Sequence, residues 1–197
     1  GPAPTALSGG FASSTVLNKL VRFKNYVFGI NNKNASTPSR LFWSSNLDAE
    51  TWPAANFLDV NPNDGDTITG LVIFNDVLFI FKETSIYYLV GEVFDPSNPT
   101  YALRKATNPS NIGTFHGRTC RVFQDRLIFL AHDGVYALTS PSVSPVNITR
   151  SKVNGSIKDM INRAIAGAAT THCVAEVYDN KYWLSFQNLS ASTNNRT

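Results

Sequence analysis

Charge is scarce in this chain: Lys, Arg, Asp and Glu make up 16% of its 197 residues, and the formal excess is three positive charges. The cations are scattered, with no run dense enough to track a phosphate backbone, so charge gives no argument for nucleic-acid binding. Cysteine is scarcer still. Cys120 and Cys173 are too few for a disulfide framework and have no metal-ligand spacing. They fit synthesis in a reducing compartment and two free thiols packed as small hydrophobes. No apolar run approaches the roughly 18 residues that cross a bilayer. The longest centres on Val77 to Phe81, and no charged-then-apolar leader opens the sequence. A soluble product without an export signal is expected.

What the chain has is apolar and aromatic mass. Hydrophobic residues reach 43% and aromatics 12%, with a surface made polar mainly by Asn, Ser and Thr. That composition excludes disorder throughout and describes a packed globular protein, and the length suffices for one all-β domain with a substantial core.

The organising feature is an internal repeat. An aromatic, one polar residue and then Asn or Asp recur with apolar residues on both sides: Val21 to Phe28, Val72 to Phe79, Arg121 to Ile128 and Glu176 to Trp183. The anchors Phe23, Phe74, Phe123 and Tyr178 are separated by 51, 49 and 55 residues. Each anchor predicts a hairpin, because two strand-forming runs flank two polar residues, the second of which tolerates the left-handed backbone of a tight turn. A third strand follows at Leu41 to Ser44, Ile86 to Leu89 and Val135 to Leu138. A fourth is expected at Phe57 to Val60, Tyr101 to Arg104 and Val146 to Thr149.

Four short antiparallel strands per repeat predict a β-propeller-like array of blades, with central strands buried on both faces; a sandwich would not require the recurring anchor. The expected division is an extended segment over 1–16 and a propeller fragment over 17–197. Its repeats run approximately over 17–67, 68–116, 117–152 and 153–197. Near residues 156–166, Ile157, Met160, Ile161, Ala164 and Ile165 fall at helical spacing between capping Asn154 or Ser156 and Gly167, which predicts one short helix. The last repeat is expected to be incomplete, with Asn188 to Thr197 a polar loop that stops before a third strand. About three and a half repeats cannot close a ring, so the missing strands are expected from another segment or another chain.

The residues between the first two anchors, Leu41-Phe42-Trp43-Ser44-Ser45, Thr51-Trp52-Pro53 and Asn56 to Val60, resemble the β-propeller tail proteins of tailed phages. Such proteins include the nozzle, tail tubular and tail-hub proteins of short-tailed phages. The similarity continues through Gly65 to Leu71 and Phe81 to Tyr87. Weaker matches at Gly113, at Asp133-Gly134-Val135-Tyr136 and at Tyr182-Trp183 extend it from about Leu20 to Phe186. The resemblance implies a virion protein made in the host cytoplasm that forms a homo-oligomeric ring below the portal and adaptor. Its partners would be other tail and adaptor proteins, with genomic DNA only as passing cargo. It implies no catalytic residue, no cofactor and no metal, and so no enzyme.

Several motifs invite chemistry. Asp59 to Asp66 has the oxygen density of a calcium loop, but Gly65 and Gly70 fall seventh and twelfth, where an EF-hand needs Gly sixth and Glu twelfth, so an ordinary turn is expected. Ser44, Asp48 and Trp52 lie in loose Asp-box order, itself commonly a structural turn. His116, His132 and His172 fall in different repeats without ligand or triad spacing. Trp43, Trp52, Trp183, Tyr87, Tyr88, Tyr136 and Tyr182 suit blade interfaces; the alternative is a carbohydrate- or host-receptor-binding module in which they stack on sugars. The sequons at Asn34, Asn147, Asn154, Asn188 and Asn195 carry no further meaning without an export signal.

Overall fold

The fold is that of a computed structural model, which describes residues 8–9, 17–31, 36–106, 112–140, 146–147, 173–187 and 194–196. The chain is all-β. A two-residue strand β1 (Ser8–Gly9) opens it, and the first meander follows as β2 (Lys19–Phe23), β3 (Tyr26–Ile30), β4 (Arg40–Trp43) and β6 (Phe57–Asp59). Between the last two lies β5 (Thr51–Trp52), which pairs in parallel with β1. The second sheet is β7 (Ile68–Phe74), β8 (Val77–Lys82), β9 (Ile86–Val90) and β10 (Ala102–Lys105). The third is β11 (Arg121–Phe123), β12 (Arg126–Ala131), β13 (Gly134–Leu138) and β14 (Val146–Asn147). A three-stranded fourth sheet contains β15 (Cys173–Tyr178), β16 (Lys181–Gln187) and β17 (Asn194–Arg196). A single 3-10 turn, η1 (Gly117–Thr119), precedes the third sheet.

All four expected hairpins form, each closed by two residues. In three of them both turn residues have positive φ: Asn75 and Asp76, Gln124 and Asp125, Asp179 and Asn180. That is the geometry whose twist matches the flanking strands, and Asn and Asp enter it at least cost. In the first hairpin Lys24 has φ 52°. The expected third and fourth strands lie within two residues of their predicted positions.

The sheets are stacked in series. In each, the anchor aromatic and the side chains in register with it form what we term the forward face; the opposite side is the rear face. Forward residues Phe23, Phe28, Ile30, Leu41 and Trp43 of the first sheet pack with rear residues Leu71, Leu78, Ile80, Tyr87 and Leu89 of the second. Forward Phe74, Phe79, Phe81 and Ile86 of the second pack with rear Leu127, Phe129, Tyr136 and Leu138 of the third. Forward Ile128, Leu130, Val135 and Ala137 of the third pack with Cys173, Tyr182 and Leu184 of the fourth. The same relation therefore occurs three times, which is why β8, β12 and β13 are buried on both sides and read as unbroken apolar runs.

The first strands lie closest together. The hydroxyl of Thr69 in β7 donates to Thr114 O at 2.6 Å in the segment before η1, and the Thr114 amide donates to Lys82 O at the end of β8 at 2.9 Å. A Cβ on Gly117 would stand 2.0 Å from Thr69 O, so glycine is required by this backbone approach. Lys19 at the start of β2 reaches past the second sheet and donates to Gly117 O at 3.0 Å. The array is thus tight along its first strands.

Three expectations need correction or placement, and one loop has a role that its composition hides. Asn194–Arg196 forms a third strand on β16, where a loop was expected; backbone pairing needs no apolar side chain, so a polar sequence conceals it. The Asp-, Pro- and Ser-rich loop Glu92 to Thr100, for which the sequence gives no buried role, inserts Phe94 into the first core. There Phe94 meets Tyr26 and Phe28 edge-on at 5.3 and 5.0 Å, and its carbonyl accepts from Trp43 Nε1 at 2.8 Å. The segment 1–16 is described only at Ser8–Gly9, which pairs with β5. The expected helix near 156–166 lies outside the described residues.

Candidate functional site

Among the described residues no sheet packs on the forward face of the fourth sheet or on the rear face of the first, and those two faces are the candidate site. On the forward face of the fourth sheet, Val174, Glu176 and Tyr178 lie beside Ser185, Trp183 and Lys181 in the β15–β16 register. Tyr178 is 74% exposed and Trp183 is 44% exposed. Their equivalents in the first three sheets are more enclosed: Phe23 and Phe74 at the Tyr178 position are buried and Phe123 is partly buried, while Phe28, Phe79 and Ile128 at the Trp183 position are buried. A groove of about 610 Å³ runs over this face, lined by Arg121, Val174, Glu176, Tyr178, Trp183 and Ser185. Trp183 Nε1 donates to Tyr178 O at 3.1 Å, which ties the indole to the end of β15.

At the other end, the rear face of the first sheet carries a row across three strand pairs: Leu20, Gly29, Phe42 and Phe57. Leu20 is 55% exposed, whereas its equivalents Leu71, Cys120 and Ala175 are buried. The Gly29 position, taken by Ile80, Phe129 and Leu184 in the other sheets, is filled here by Leu17 and Leu20, whose methyls stand 2.8 and 2.9 Å from where a Cβ would lie. Arg40 lies over Phe57, 3.9 Å from the ring centroid, and is held by a bidentate pair to Asp59 at 2.7 and 2.8 Å.

Polar ties link the hairpin tips of the first sheet to the second and of the third to the fourth. The first turn residue of one meets the second turn residue of the next: Lys24 donates to the Asp76 carboxylate, and Gln124 Nε2 donates to Asn180 Oδ1 at 3.0 Å. Lys24 also pairs with Glu92 at 2.9 Å. The hydrogen bonds to Asp76 and Glu92 raise the Lys24 pKa above the ordinary lysine value. At the third interface Arg121 pairs with Glu176 at 3.3 Å, and Tyr182 Oη donates to Thr119 O at 2.8 Å. The Glu176 carboxyl is held below its usual range by the Val177 amide and then by Arg121.

The calcium-like loop is an ordinary turn whose oxygens are already engaged. Asp66 accepts from the Glu83 amide at 2.7 Å, the Thr84 amide, Thr84 Oγ1 at 2.8 Å and Ser85 Oγ at 3.1 Å. Asp64 accepts from the buried Lys82 ammonium at 2.7 and 2.6 Å, while Asp59 holds Arg40. Lys82 also donates to Val60 O and Asn61 O at 3.0 and 3.2 Å. Burial pushes Asp64 upward, but the hydrogen bonds from Lys82, the Asp66 amide and Asn61, with the Lys82 charge, together outweigh it and leave the carboxyl below the usual range. Among the described residues no group of His, Cys, Asp and Glu gathers in a way that would hold a metal.

The other singled-out residues are structural. Asp48 Oδ1 accepts from the Glu50 and Thr51 amides at 2.9 and 3.2 Å, and Ser44 Oγ accepts from Val27 N at 3.0 Å, so the loose Asp-box is a backbone clasp. Trp43, Trp52, Tyr87 and Tyr136 are buried, which removes them as sugar platforms and leaves Trp183 as the exposed tryptophan. His116 caps η1 and His132 sits in the β12–β13 turn; His172 lies outside the described residues. Both cysteines are free and buried, and desolvation pushes Cys120 up to about 12 and Cys173 to about 11. Sequence reasoning did not find these two faces; alternation within each hairpin shows which residues share a face but not which face is covered. No helix among the described residues is long and apolar enough to cross a membrane. No protein-family model matches the chain, and no curated protein matches it.

Proposed function

We propose that the chain is a structural component of a bacteriophage tail, a ring- or tube-forming protein of the nozzle or hub type that helps join the portal and adaptor to the tail and conducts the genome. The observation that carries this reading is the threefold repetition of one forward-on-rear interface, with the first strands tight and the Lys19 contact reaching from the first repeat to the third. Serial stacking of like four-stranded sheets with their first strands close together is compatible with the radial repetition of a propeller. Together with the resemblance of the Leu41 to Tyr87 region to phage propeller tail proteins, it favours a scaffold over an enzyme. Electron microscopy of virions labelled with an antibody to this chain tests the reading: label on the tail below the portal supports it, and label confined to the capsid or absent from the particle overturns it.

The exposed pair Tyr178 and Trp183 over an apolar groove favours one second reading, a carbohydrate- or host-receptor-binding propeller module. A glycan array decides it. Reproducible binding lost in Trp183→Ala would establish that reading, and an empty array would remove it.

A further inference from the structure

We infer that the loop after β6 is a binding site for a primary ammonium group, and that Lys82 occupies it from within the chain. The inference goes beyond the tail reading and does not depend on it.

The oxygens of the loop converge on one enclosed point. Val60 O, Asn61 O, Asp64 Oδ1 and Asp64 Oδ2 lie 3.0, 3.2, 2.7 and 2.6 Å from Lys82 Nζ, and the lysine is fully buried. An ammonium has three protons to donate, so four oxygens at these distances form a shell around a charge, beyond a set of one-to-one hydrogen bonds. The carboxylate is also aimed by groups other than the lysine. Asn61 Nδ2 donates to Asp64 Oδ2 at 2.7 Å, and the Asp66 amide donates to Asp64 Oδ1 at 3.0 Å. The shell therefore belongs to the loop, while the cation comes from the end of β8, where Lys82 pairs in register with Ile68.

Charge and size select the guest. One carboxylate balances one positive charge, and the neighbouring carboxylates are committed elsewhere: Asp66 to donors of Glu83, Thr84 and Ser85, and Asp59 to Arg40. A calcium ion wants about six to eight oxygens at roughly 2.3–2.6 Å. The shell has fewer, and its carbonyls stand at 3.0 and 3.2 Å, which suits an N–H donor. The calcium-like sequence thus encodes a cation loop whose cation is covalently supplied. Lys82→Ala removes three methylenes and the ammonium, which is the shape of n-propylammonium. Lys82→Met keeps the stem filled and brings no charge.

Thermal melting of the wild type, Lys82→Ala and Lys82→Met in n-propylammonium chloride tests this, with tetramethylammonium chloride at equal ionic strength as the control. Tetramethylammonium carries the same charge and no N–H. n-Propylammonium is expected to raise the melting temperature of Lys82→Ala saturably, by about 3–6 °C at ten times its dissociation constant. The wild type and Lys82→Met should respond to the two salts alike. Equal responses of the Ala and Met variants, or of Lys82→Ala to both salts, would overturn the inference. Should Lys82→Ala be unfolded without amine, recovery of its circular dichroism spectrum by n-propylammonium alone supports the site, and no recovery counts against it. In the wild type, nitrogen-labelled lysine should show one ammonium whose protons exchange slowly at neutral pH and whose signal disappears in Asp64→Ala; a wild type without that signal has no enclosed guest, and the inference fails.

Discussion

Lys82 shows what a single buried charge demands. Its ammonium is fully enclosed at the end of β8 and is satisfied by Asp64 and two carbonyls. Removing the carboxylate strands the cation, a loss of about 3–5 kcal/mol for a fully buried pair. Asp64 is partly exposed, so we expect Asp64→Ala to cost about 2–3 kcal/mol in urea denaturation after discounting for solvent screening. Lys82→Met, which replaces the charge by an apolar chain, should cost less. The pH dependence has a definite sign. Asp64 titrates below its unfolded value, so its contribution is present above the ordinary aspartate pKa and is lost as pH falls through the lower, folded one. Melting curves of wild type and Asp64→Asn should therefore converge in acid and separate towards neutrality.

The two thiols behave in the opposite sense. Folded pKa values of about 12 for Cys120 and about 11 for Cys173 favour the neutral form. The unfolded chain ionises near its ordinary thiol value, so stability from this source is intact below that point and falls as pH rises towards the folded values. A disulfide-exchange reagent at pH 8 should leave the native protein unlabelled and titrate two thiols per chain in guanidinium. Labelling of native protein at the unfolded rate would contradict the burial.

At the scale of elements, the tightest joint is glycine on backbone. Gly117 approaches Thr69 and Gly70 so closely that any side chain must separate the second and third repeats. We expect Gly117→Ala to cost about 3 kcal/mol or more, the upper end for overpacking, because carbonyls cannot turn aside as side chains do. In contrast, Asp125 lies in a turn with φ 55°. Asp125→Gly should raise stability by up to about 1 kcal/mol by relieving the left-handed strain.

The same contrast explains what could be read from the residues. Hairpins were legible at Asn75-Asp76 and Asp179-Asn180 because local turn chemistry and flanking apolar runs agree. β17 was not legible, since Asn194–Arg196 joins the sheet by its backbone. Phe94 was hidden for another reason: one aromatic in a loop of Asp, Pro, Ser and Asn carries no period, and only the first core shows why it is there.

For the molecule as a whole, stability should rise from the ends to the middle. The second and third sheets are covered on both faces, while the first and fourth each have a leftover face. In a serial array each unit is held by its neighbours, so the ends open first. Amide exchange should be slowest at Val77–Lys82 and Arg126–Ala131 and faster at Lys181–Ser185; the reverse order would show that the interfaces are not the source of protection. The repeat and its spacing were visible in the anchors, but the leftover faces were not, because exposure depends on which sheet packs against a given face and no single repeat specifies its own neighbour.

The distribution of indole rings has an optical consequence. Trp43 and Trp52 are enclosed, and Trp183 alone of the three lies open on the last sheet. Emission should therefore divide into a blue component that dissolved iodide cannot reach and a red component that it extinguishes. The red fraction reports directly on whatever lies against the final sheet, so the molecule carries its own gauge of occupancy with no dye attached.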